Sequence, residues 1–175
     1  AYELVQRRSR LLKQIAGKLN TSVDDVPAKL FAMEADLDAA RKQVKLLSQE
    51  LVAVEFEQKL DPIPLVAGVP CLVTQLPNAD MEALRQMTDR FRQRFASGVV
   101  VLASVKEGQP VILAVLTEDL VKRGLHAGDL VKLIAPMVGG SGGGRPVMAQ
   151  AGGKDPTRLA EALDQAVQYI KSKLG

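Results

Sequence analysis

Two stretches, Val99-Val100-Val101-Leu102-Ala103 and Val111-Ile112-Leu113-Ala114-Val115-Leu116, carry no polar side chain at all. β-branched residues dominate both, and an extended segment that is apolar at every position must be covered on its two faces. The runs therefore predict central strands with other elements packed above and below. Lys106-Glu107-Gly108-Gln109-Pro110 between them has turn chemistry, which makes the pair a hairpin. A chain of 175 residues that is 47% hydrophobic and 25% charged has the inventory for such a core, and excludes a disordered tail or a collagen-like rod. The length also excludes the whole of a large multidomain enzyme.

Other elements fall into place around the hairpin. Val69 to Thr74 reads as a further buried strand, and Met81, Leu84, Thr88, Phe91 and Phe95, at spacings of 3, 4, 3 and 4, predict a helix opening near Asn78 to Asp80. Leu120 to Gly124 suits one or two helical turns, and Leu130 to Val138 a short helix after Ala127-Gly128-Asp129. A glycine cluster follows, then a short strand over Val147 to Ala151. The last helix has Asp155 as its cap and Pro156 at its first position, and buries Leu159, Leu163, Val167, Ile170 and Leu174. Strands and helices alternate throughout, so the expected fold class is α/β, a small mixed sheet covered by helices.

The N-terminal third has a different period. Leu4, Leu11, Leu12, Ile15 and Leu19 form one helical stripe flanked by Arg7, Arg8, Arg10 and Lys13, and turn residues follow from Asn20 to Pro27. Leu30, Met33, Leu37, Ala40, Val44, Leu47, Leu51 and Val54 then recur at alternating spacings of 3 and 4, a heptad seam. A helix over 28–59 would be ~48 Å long, more than the first helix can cover, so part of its seam must meet the following domain or a second copy of the chain. Asp61-Pro62-Ile63-Pro64 ends the helix. These signals predict an antiparallel helical hairpin over 1–60, a coiled-coil segment, and a globular α/β domain over 61–175.

Several function classes lack the residues they need. One Cys (Cys71, in an apolar run) and one His (His126) cannot supply the nitrogen and sulfur ligands of a zinc site, and no carboxylate spacing recommends a metal. Ser141 and His126 lack a third orienting group, so no catalytic constellation is expected. There is no apolar run of membrane-spanning length and no signal-peptide pattern, so a soluble, cytoplasmic protein without membrane contact is expected. A net charge of +3 permits a polyanionic partner without requiring one.

Residues 136–153 carry the most functional information, with glycines at 139, 140, 142, 143, 144, 152 and 153, half of the fourteen in the chain. Glycine admits positive φ and lets another molecule approach the backbone. Consecutive N–H groups in a loop over 139–145 would form an anion nest with Arg145 at its lip; the alternative is a tightly turned connector between a helix and a strand. No Gly-Lys-Ser or Gly-Lys-Thr follows, and the cluster enters a strand rather than opening a helix, so neither a nucleotide-hydrolysing loop nor a dinucleotide fold is indicated.

Gly139-Gly140-Ser141-Gly142-Gly143-Gly144-Arg145-Pro146 with Met148-Ala149-Gln150-Ala151-Gly152-Gly153 resembles the signature of the C-terminal domain of bacterial alanyl-tRNA synthetases. Ala1-Tyr2-Glu3 resembles the exit from that family's editing domain, and the coiled segment follows in the same order. The related DHH-associated domain of DHH-family phosphoesterases shares the glycine motif, but no Asp-His-His tripeptide occurs here. The family commonly has lysine at the position of Ser141 and aspartate at that of Val147; without the lysine, one phosphate contact is missing. The resemblance implies a non-catalytic fragment, without cofactor, of a chain whose alanine activation, transfer and editing lie in upstream domains. Its implied partner is alanine tRNA, held at the elbow where the D and T loops meet.

The residues nominated for RNA contact are Gly139, Gly140, Ser141, Gly142, Gly143, Gly144, Arg145, Gln150, Gly152, Gly153, Lys154 and Arg158. With only four Phe and two Tyr, the chain is poorly equipped to stack single-stranded bases, so shape and backbone contacts suit it better. Arg90, Arg92 and Arg94 spread around their helix and read as solvated surface. The alternative functions are a homodimer through the coiled segment and a phosphoesterase-associated nucleotide-binding domain.

Overall fold

The computed structural model describes residues 2–175; Ala1, the first residue of the Ala1-Tyr2-Glu3 opening, lies outside the described residues. Helices α1 (Tyr2–Leu19) and α2 (Val26–Lys59) come first, followed by strands β1 (Leu65–Val66) and β2 (Val69–Gln75) and helix α3 (Met81–Arg94). The hairpin β3 (Val99–Lys106) and β4 (Gln109–Leu116) leads to α4 (Glu118–Lys122), α5 (Ala127–Ile134) and a 3-10 turn (Ala135–Val138). Strands β5 (Ser141–Arg145) and β6 (Met148–Gly152) and helix α6 (Leu159–Leu174) complete the chain. The strands form one mixed six-stranded sheet in the order β1-β2-β3-β4-β6-β5.

The two apolar runs are the centre of this sheet. β3 and β4 pair antiparallel from Val99 opposite Leu116 to Lys106 opposite Gln109. Their turn places Glu107 and Gly108 both at positive φ, the geometry that matches the twist of a two-residue hairpin. β2 lies parallel to β3, with α3 as the crossover between them. Side chains alternate along β3: Val99, Val101 and Ala103 join a core under α5 and α6, while Val100 and Leu102 join a second core under α3. Both faces are therefore covered, as continuous β-branched strands require.

Helix α3 begins where the polar chemistry predicts. The Asp80 carboxylate accepts the Ala83 N–H at 2.9 Å, which satisfies one free donor of the first turn. Just before it, the Ala79 N–H donates to Ser104 Oγ at 2.9 Å, tying the helix entry to β3 in the interior. Leu84, Met87 and Phe91 then face the sheet.

The chain divides into two compact units, one up to Leu47 and one running from Ser48 to Gly175. This division falls within α2 rather than at Asp61-Pro62-Ile63-Pro64, because Val52, Phe56 and Leu60 are buried in the core under α3. In the first unit, α1 and α2 are joined by a turn in which Ser22 Oγ accepts the Asp25 N–H at 3.2 Å. Ala16 and Val26 are buried there.

Three local expectations are corrected. The helix expected to run on to Val138 gives way to a 3-10 turn at Ala135, and Gly139, at φ 62, ends that turn in the left-handed conformation. The last helix starts at Leu159 and not at Pro156, because Asp155 Oδ1 takes both the N–H and the hydroxyl of Thr157 in a turn ahead of it, leaving Arg158 at the cap. The loop expected over 139–145 is an edge strand from Ser141 onward. Its N–H groups alternate in direction as in any strand, so they do not converge into an anion nest.

Candidate nucleic-acid interface

A strand reading Ser-Gly-Gly-Gly-Arg defies β propensity, and its two faces account for its composition differently. β5 pairs antiparallel with β6, Gly142 opposite Ala151, Gly143 opposite Gln150 and Gly144 opposite Ala149. On the α5 face there is no room for side chains. A Cβ on Gly142 would lie 2.5 Å from Val131 Cγ1 and 2.6 Å from the Ala151 Cβ, and one on Gly144 would overlap the Met148 carbonyl and stand 2.8 Å from the Ala149 Cβ. Gly140 and Gly153, in the flanking turns, are equally constrained, by the carbonyls of Gly152 and Val138.

On the α3 face the situation reverses. Nothing lies within 4 Å of the position a Cβ would take on Gly143, and the same holds for Gly152 on β6. Neither residue has positive φ. Packing and backbone conformation therefore do not require glycine at either place, and a bare stretch of peptide faces outward there.

That bare stretch borders a groove of about 480 Å³ lined by Arg85, Arg92, Gly143, Gly144, Arg145, Val147, Met148, Ala149 and Gln150. Three arginines converge on it and no acidic residue lines it. Among the described residues, none of the three has a carboxylate within ion-pair distance, whereas their neighbours on α3 do: Arg90 and Arg94 both reach Glu57, at 3.5 and 3.4 Å. The helix thus sorts its arginines, Arg90 and Arg94 toward the end of α2, and Arg85 and Arg92, two turns apart, toward the glycine strand. Gln150 lines the same groove, its carbonyl accepting from Arg85 Nη2 at 2.9 Å.

Ten of the twelve nominated residues line two depressions along β5 and β6. Gly143, Gly144, Arg145 and Gln150 line the arginine groove. Gly139, Gly140, Ser141, Gly152, Gly153 and Lys154 line a second one of about 470 Å³, together with Gln109, Pro110 and Val111. Gly142 belongs to the packed face of β5. Arg158 lines neither depression and pairs with Glu161 at 2.8 Å. The sequence does not single out Arg85, and Arg92, which reads there as solvated surface, lines the groove instead; their convergence depends on the sheet order, and their spacing of seven residues was the available signal. His126 sits at the cap position of α5 with Nδ1 3.3 Å from Asp129, consistent with a surface role.

Residues 68–172 match the DHHA1 domain family, and the chain belongs to it. Among individual relatives, the alanine–tRNA ligase of Oceanobacillus iheyensis is 40% identical over 97% of this chain, and that of Geobacillus thermodenitrificans 41% identical over 98%. The chain spans about one fifth of the length of these relatives, 19% and 20%. Among solved structures, the C-Ala domain of Aquifex aeolicus alanyl-tRNA synthetase superposes with a TM-score of 0.57 at 25% identity, covering 62% of this chain and 97% of that domain.

Proposed function

We propose that the chain is the tRNA-binding region of an alanine–tRNA ligase, pressing its glycine strand against the elbow of alanine tRNA so that one bound tRNA serves aminoacylation and editing sites held in other domains. The observation that carries this reading is Gly143: its side-chain position opens onto free space beside three arginines, where the fold has no use for a glycine. A folded RNA corner presents a rigid, polyanionic surface, which suits a flat peptide ribbon flanked by guanidinium groups better than it suits an aromatic platform. The similarity to alanine–tRNA ligases supports the choice of tRNA, and the one-fifth span supports placing catalysis elsewhere. In a filter-binding titration the chain is expected to bind whole alanine tRNA more tightly than a minihelix lacking the elbow. Equal affinity contradicts the proposal.

A second reading, self-association through the coiled segment, is favoured by the exposure of its seam. Leu37, Val44 and Leu51 are 50%, 65% and 68% exposed on α2. Sedimentation is expected to show a dimer that dissociates on dilution; a monomer at every concentration contradicts it.

A further inference from the structure

The groove holds two chemically distinct kinds of contact. Arg85 donates to Gln150 Oε1 at 2.9 Å, and a guanidinium offers donors only, so the Gln150 amide is held with its oxygen toward α3. One acceptor position of the oxygen is thereby occupied, and the two N–H donors of the amide make no hydrogen bond within the described residues. Gln150 stands opposite Gly143, so no side chain from β5 covers it. Arg92 and Arg145 border the same groove without a carboxylate partner among the described residues. Asp89, which lies one turn from Arg85 and one from Arg92 along α3, forms no ion pair with either.

We propose that this groove is a two-part RNA contact, Arg92 and Arg145 neutralising backbone phosphates while Gln150, fixed by Arg85, donates to an acceptor on a base or ribose; the proposal rests on the reading of the chain as an RNA-binding unit. Arg85 is then a positioning residue, and Gln150 supplies the part of the contact that does not depend on charge. Two guanidinium groups without carboxylate partners among the described residues, beside an amide with two free N–H donors, fit the phosphodiester backbone with its sugar and base edges. An acidic peptide carries acceptors for the same amide, so the choice of RNA rests on the proposed function and polyglutamate is the control.

The experiment is a titration of the chain with alanine tRNA and with the elbow-lacking minihelix over a range of salt concentrations, with melting curves to confirm that each variant folds. Arg92→Gln is expected to weaken tRNA binding and to reduce the steepness of the log–log salt dependence by about 1. Gln150→Met is expected to weaken binding about five- to tenfold with the salt dependence unchanged, since an uncharged contact releases no counterion. Gln150→Glu keeps a partner for Arg85 and removes the amide donors, so it too should weaken binding. Arg90→Gln, on the Glu57 side of the helix, should bind like wild type.

Wild-type binding by Arg92→Gln and by both Gln150 variants overturns the proposal, and if the wild type still prefers whole tRNA, the elbow reading survives alone. If the variants weaken both RNAs as stated but the wild type binds the two equally, the groove contact stands and the elbow reading falls. Binding of polyglutamate as tightly as tRNA also overturns the proposal, in favour of an acidic peptide.

Discussion

The carbonyl oxygen of Gly144 lies 3.2 Å from the point at which a Cβ on Gly128 would stand, so helix α5 and strand β5 meet backbone to backbone. That approach gives the glycine strand one closed face and one open face, and the two make opposite demands on the same type of residue.

On the closed face, glycine serves the fold. Gly142→Ala sets a methyl group against Val131, the Ala151 Cβ and the Gln150 carbonyl, and the last of these cannot move without disturbing the sheet. We expect a loss of about 1–3 kcal/mol, the usual cost of overpacking a filled interior. Chemical denaturation measures it; a variant as stable as wild type contradicts the close packing of α5 on β5.

Among the described residues, Ser104 is one of two buried polar ones, and its hydroxyl accepts the Ala79 N–H ahead of α3. Ser104→Ala leaves that donor without a partner in a site closed to water. The expected cost is about 1–3 kcal/mol, read from the shift in denaturation midpoint. Ser104→Thr, which keeps the hydroxyl, should lose less.

Burial pushes the Cys71 thiol up to about 11 from an ordinary value of 9.0, with the positive charge of Lys171 pulling slightly the other way. A folded value above the unfolded one means that this contribution to stability is whole below about pH 9 and drains away as pH rises toward 11. The ceiling is ~3 kcal/mol. Comparing wild type with Cys71→Val by denaturation between these limits isolates it, since the other groups that titrate there are common to both proteins. Wild type should lose more stability than the variant; parallel losses contradict a buried, neutral thiol.

Where one property decided the structure, the residues made it legible. Val99 to Ala103 and Val111 to Leu116 are apolar at every position, and only a strand covered on both sides accommodates that; Asp80 stands at a helix start because a carboxylate there meets an orphan N–H. β5 was not legible as a strand. Five residues of which three are glycine carry no strand propensity, and it is tertiary packing, with α5 and β6 excluding every Cβ from one face, that makes extended glycine the fitting choice. The arginine groove stayed hidden for a related reason. Arg145 and Gln150 were nominated from the motif, but Arg85 and Arg92 join them only through the sheet order, which local sequence does not encode.

On the proposed function, Gly143 is bare for the sake of a partner. Strand backbone tolerates a β-branched residue there, so Gly143→Val should melt at or above the wild-type temperature. The deciding measurement is its affinity for whole alanine tRNA: the account predicts a loss of at least about tenfold, one decade in Kd, from a correctly folded variant. A folded Gly143→Val that binds alanine tRNA as tightly as wild type contradicts it.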